Sequence, residues 1–145
     1  MCYSVYLSTT SNANLLEWGN ELCKFEKEIL PDDQEIVDLL QHPNKWFITR
    51  YGGCSCHFRH FMNYPDFEAF GVPEEWREED ADDIESSAAT YDLFMKLLDS
   101  ESELDVVSVW TDCTAEEVTN LEVRLADIPR DSFRFVENVM FSFVR

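Results

Sequence analysis

Apolar positions along the chain change period several times, and each change marks an element. Cys2 to Thr9 alternates, with Tyr3, Val5 and Leu7 on one side and Cys2, Ser4, Tyr6 and Ser8 on the other. That alternation, with its Tyr, Val and Thr content, predicts a strand. Ser11 to Asn14 reads as a turn or a helix cap. Apolar residues then recur at Leu15, Trp18, Leu22, Phe25 and Ile29, a helical spacing that Gly19-Asn20 interrupts. Two readings follow: one helix over 15–30, or a short helix and then a strand over 21–27. Pro31-Asp32-Asp33 closes this element and opens a short helix carrying Ile36, Val37, Leu39 and Leu40, which stops before His42-Pro43.

Trp46 to Tyr51 predicts a strand, Gly52-Gly53 a two-residue turn and Cys54 to Phe61 a returning strand. The warrant is that a type I′ turn needs positive φ at both central positions. Residues 63–81, with two Pro and a Gly, read as a surface connection. Asp80 to Asp99 predicts the longest helix. Its apolar face is Ile84, Ala88, Tyr91, Met95 and Leu98, widened by Phe94 and Leu97. Leu104 to Trp110 predicts a buried strand. Thr114 to Glu117 has the form of a capping box, yet Leu121, Val123 and Leu125 alternate, which favours a strand over about 119–125 against a helix. Pro129 to Ser132 reads as a short helical turn, and Val139 to Val144 alternates as a closing strand. No repeat is present. These elements predict an α+β fold and a single domain over 1–145. Its mainly antiparallel sheet has five or six strands, covered on one face by the long helix (about 80–99) and one or two shorter ones.

Composition supports a packed domain. The chain has 145 residues, 45% hydrophobic and 14% aromatic, enough apolar material for a core and too much for a disordered chain. Charge narrows the partners. Thirty acids against eleven Lys and Arg give a formal net charge of −19. Phosphate backbones and anionic membrane surfaces are repelled by such a protein; a basic protein or a metal ion is not. The N-terminal residues lack the basic and apolar regions of a signal peptide, and no run reaches the roughly 18 apolar residues of a membrane span. Five irregularly spaced Cys without an export signal read as reduced thiols in the cytoplasm.

The candidate chemistry lies in Trp46 to Met62, WFITRYGGCSCHFRHFM. A regular hairpin would set Tyr51 opposite Cys54, Thr49 opposite Cys56 and Phe47 opposite Phe58 on one face. The other face would then carry Arg50 with Ser55, Ile48 with His57, and Trp46 with Arg59. Three uses follow. Cys54 and Cys56, with His57 if the segment is a loop, can chelate a soft metal; zinc is the ion considered, although one Cys pair falls short of the paired CxxC pattern. The same thiols can act as a redox pair or nucleophile, although a disulfide between them would be strained. Arg50, His57 and Arg59 beside Trp46 can form a patch for a carboxylate or phosphate group.

A second lead is the acidic stretch 74–85. Glu74, Glu75, Trp76, Glu78, Glu79 and Asp80 read either as a docking surface for a basic protein or as the solvated start of the long helix. No Walker, Rossmann, GxSxG, HExxH or CxxC motif assigns a reaction. The leading expectation is therefore a small acidic cytoplasmic protein acting as a non-enzymatic binding or interaction module. The alternative is a thiol-redox or soft-metal protein using Cys54-Ser55-Cys56-His57.

Overall fold

The computed structural model describes residues 2–61 and 79–145. The fold is α+β. Among these residues a six-stranded sheet forms from β1 (Tyr3–Thr9), β2 (Lys24–Glu26), β3 (Asn44–Thr49), β5 (Leu104–Trp110), β6 (Thr119–Arg124) and β8 (Val139–Val144), in the order β2-β3-β1-β5-β8-β6. All neighbours are antiparallel except β6 and β8. Two short strands, β4 (His60–Phe61) and β7 (Phe135–Val136), pair in parallel beside it. Among the described residues there are two α-helices, short α1 (Gln34–Val37) and long α2 (Ala81–Asp99). No helix among the described residues is long and apolar enough to cross a membrane.

Strand alternation divides the core in two. Val5 and Leu7 of β1, Trp46 and Ile48 of β3, Val106 of β5 and Phe141 of β8 face α2, where Tyr91, Phe94, Leu97 and Leu98 meet them. The intervening Tyr6, Phe47, Val107 and Met140 face the other way and pack with Ile36, Val37 and Leu40 of α1 and its flank. This is the two-residue period of a sheet with both faces covered. Each large side chain so buried contributes about 1.5–3 kcal/mol.

Several local signals resolve into short elements. Residues 15–30 hold a single 3₁₀ turn at Leu15–Glu17, capped by Asn14, and then β2. The Thr114–Glu117 capping box is present, but it closes one 3₁₀ turn before β6 begins. Asp80 caps α2 by accepting from the Asp82 amide at 3.0 Å. The buried face of α2 is rotated from the expected one. Ile84 is exposed and Met95 half-buried, while Ser86, Ser87 and Thr90 are buried. Ser86 accepts from the Arg50 guanidinium and Ser87 from the Arg59 amide, so polar partners as well as apolar area set the helix rotation.

The expected hairpin does not form. Gly52 and Gly53 do take positive φ, 87° and 79°. Residues 54–59, however, are loop and turn rather than strand. The reason is that both edges of β3 are already occupied. β2 pairs along one edge (Phe25 with Ile48), and β1 along the other (Val5 with Ile48, Leu7 with Trp46). A chain returning from the glycine turn finds no free edge and crosses instead against the start of β1.

Candidate thiol site

Where β3 ends, the loop takes over the next place on the edge of β1. Pairing of β1 with β3 stops at Val5 and Ile48. Beyond it, the Ser55 amide donates to the Tyr3 carbonyl at 2.9 Å. The Ser55 hydroxyl accepts from the Val5 amide at 2.9 Å and donates to the Ile48 carbonyl. Ser55 is fully buried and joins two strands that have begun to part. On its flanks, Cys54 and Cys56 are half-buried. A C-S-C run with its middle residue turned inward carries both thiols outward, and a turn at Cys56-His57 brings them closer than the roughly 6.5 Å of a straight strand.

Cys2 supplies the third sulfur. Its backbone is held against the end of β5: its amide donates to Thr111 Oγ1 at 2.8 Å, and the Thr111 amide donates to its carbonyl at 3.1 Å. The sulfurs of Cys2, Cys54 and Cys56 all lie within 4.8 Å of one another. The Tyr3 amide donates to Cys56 Sγ at 3.2 Å. Burial pushes the Cys56 thiol up to about 12, and contacts with Cys54 and Cys2 add to this against the Tyr3 amide, which favours the thiolate. A free Cys56 is therefore a neutral thiol near pH 7, a slow nucleophile that reacts only with a strong electrophile or as it loses its proton.

His60 braces the loop from beneath. It is buried and stacks on Tyr3 with centroids 3.8 Å apart and planes 5° from parallel. Its Nε2 lies 2.8 Å from the Ser55 carbonyl and its Nδ1 3.5 Å from the Ser108 hydroxyl. A carbonyl only accepts, so Nε2 carries the proton. His57 is exposed and packs edge-on against Tyr51 at 4.8 Å, outside the sulfur cluster. The structure thus joins Cys54 and Cys56 and places Cys2, rather than His57, beside them. The sequence signal for Cys2 was slight: a Cys at the head of an alternating strand, with nothing to say which loop lies next to it.

The four residues of the expected anion patch are dispersed. Trp46 is in the core beneath Lys27, whose amine sits 4.6 Å from the ring. Arg50 is buried and donates to the Asp82 carbonyl at 2.7 Å and to Ser86 at 2.6 Å. Arg59 is also buried. It donates to both carboxylate oxygens of Glu79 and, at 2.6 Å, to the Asp131 carbonyl. Arg134 reaches the same carboxylate at 2.5 Å. Burial works to raise the Glu79 carboxyl, but hydrogen bonds and charge from Arg59 and Arg134 prevail and hold it at about 2. Of the acidic stretch, Glu79 and Asp80 therefore have internal partners, while Glu74, Glu75, Trp76 and Glu78 lie outside the described residues.

Cys2 also lines a cleft of about 320 Å³ with Trp110, Asp32, Asp33, Asp112 and Cys113. Burial and the neighbouring Glu117 push the Cys113 thiol up to about 11.

Three sulfurs around one ion at a metal–sulfur distance near 2.3 Å stand about 4 Å apart in a plane. The Cys2, Cys54 and Cys56 cluster fits that span, and thiolates favour soft ions such as zinc and monovalent copper. Compared with known proteins, the chain matches no family model, no curated protein and no solved structure.

Proposed function

We propose that this is a small acidic protein that binds a thiophilic metal ion through Cys2, Cys54 and Cys56, as a binding protein rather than an enzyme. The observation that carries the reading is the approach of three sulfurs to within 4.8 Å, from two segments far apart in sequence. Each segment is pinned by backbone hydrogen bonds, Cys2 to Thr111 and the loop to Tyr3 and Val5, so little order has to be created on binding. The Tyr3 N–H donates to the Cys56 sulfur and so orients that ligand. A net charge of −19 attracts cations and repels nucleic acid. Free thiols of this kind persist in a reducing compartment, which favours the cytoplasm.

The test is elemental analysis of protein purified without added metal, with cadmium titration of the reduced apoprotein followed by thiolate-to-metal charge-transfer absorption. One ion per chain, lost in Cys2→Ser, Cys54→Ser and Cys56→Ser alike, is the expected result. Substoichiometric metal that survives these substitutions would sink the reading.

A further inference from the structure

Three thiols this close can hold a metal, and two of them can instead be joined to each other. Resting on the metal-binding reading, we infer that the site is redox-gated: a peroxide converts Cys2 and Cys56 to a disulfide, and that bond excludes the metal.

The choice of pair follows from position. Cys56 is in contact with both Cys54 and Cys2, and all three sulfurs lie within 4.8 Å of one another. One residue separates it from Cys54, so a bond between those two closes a small strained ring. Cys2 approaches from the segment just before β1 with no such constraint, and the Tyr3 amide on Cys56 Sγ already holds the two segments together. Cys2 is also the most exposed of the three residues, whereas Cys54 and Cys56 are half-buried. The oxidant therefore meets Cys2 first.

The chemistry balances with hydrogen peroxide as the two-electron oxidant. The Cys2 sulfur attacks one peroxide oxygen, the O–O bond breaks, one water leaves and Cys2 becomes a sulfenic acid. The Cys56 thiol then attacks the electrophilic Cys2 sulfur and gives up its proton: the S–S bond forms, the S–O bond breaks, and the hydroxyl leaves with that proton as a second water. Two thiols have lost two electrons and two protons, and one peroxide has become two waters. Cys54 alone remains as a donor, too little to hold the ion. A bound metal protects all three sulfurs, so metal and disulfide exclude each other. The remaining cysteines are internal controls: Cys23 is fully buried, and Cys113 lies outside the cluster.

The experiment treats reduced, metal-free protein with hydrogen peroxide, maps disulfides by peptide mass spectrometry and titrates cadmium in parallel. The expected outcome is a Cys2–Cys56 linkage with Cys23 and Cys113 free, loss of cadmium uptake, and recovery of uptake with dithiothreitol. Preloading with cadmium should suppress the linkage. Cys54→Ser should still form the disulfide although its cadmium uptake is lost, which separates the two chemistries. A Cys54–Cys56 linkage, no linkage, or full cadmium uptake by the oxidised protein overturns the inference. Reduced protein that takes up no cadmium overturns the metal-binding reading itself, whatever linkage is mapped.

Discussion

The backbone N–H of Tyr3 points at the sulfur of Cys56, 3.2 Å away. This bond ties the start of a central strand to the loop after the glycine turn. It also explains why the sulfur cluster draws on Cys2 and not on His57, which faces solvent beside Tyr51. His57→Ala is accordingly expected to leave cadmium affinity within about twofold of wild type, whereas Cys2→Ser, which removes a ligand, should weaken it by more than the roughly 10- to 100-fold that losing a ligand's hydrogen-bond partner costs. Isothermal titration of the two variants side by side checks this, and a His57→Ala defect as large as that of Cys2→Ser would restore the CSCH assignment.

Ser55 holds the loop through its hydroxyl, which serves both the Val5 amide and the Ile48 carbonyl at a fully buried position. Ser55→Ala leaves both backbone groups without that partner. The expected loss is about 1–3 kcal/mol, read as a lower midpoint in urea unfolding, together with weaker cadmium binding as the loop detaches. An unchanged midpoint would mean that water replaces the hydroxyl.

Glu79 sits between Arg59 and Arg134 with its carboxyl held at about 2, against an ordinary value of 4.5. A carboxyl depressed on folding adds stability that is complete above its unfolded value and is lost as pH falls through the folded one. Stability should therefore decline between about pH 4.5 and about pH 2. Glu79→Gln leaves two buried guanidinium groups without their carboxylate, a loss on the order of 3 kcal/mol near neutral pH, and should flatten this part of the pH profile. Urea midpoints of both proteins at about pH 5 and about pH 3 test it; parallel declines would show that other acids govern the slope.

Thiol reactivity should follow burial. Burial pushes Cys23 up to about 12 and leaves it no exposed surface, so alkylation in the native state should reach Cys2 first and Cys23 only after unfolding. Timed iodoacetamide labelling with peptide mass spectrometry gives the order. Early labelling of Cys23 would contradict the packing between α2 and the sheet.

Much of the architecture was legible in the pattern of residues because those elements depend on neighbours in sequence. Tyr3 to Thr9 and Val139 to Val144 alternate, Leu104 to Trp110 is an apolar, β-branched run, and all three are strands. Asp80 has the side chain of an N-cap and starts α2. Even the two competing signals at 114–125 were both genuine, since a capping box and an alternating strand follow one another there. The positive φ values of Gly52 and Gly53 are likewise local properties.

The sequence by itself determined an α+β fold, the places of its main strands and long helix, the strong negative charge and the segment that carries two of the three thiols. Only the tertiary structure decided which edges of β3 were taken, and that settled the site. With β1 and β2 already paired to β3, the arm after the glycine turn had to leave the sheet. Ser55 then met β1, and Cys54 and Cys56 met Cys2. Hydrogen-bonding capacity along a strand edge is a long-range, competitive quantity, because each edge accepts one neighbour and the occupant can come from anywhere in the chain. The same competition paired Arg59 with Glu79 and buried Arg50 against α2, fates that no local spacing specifies.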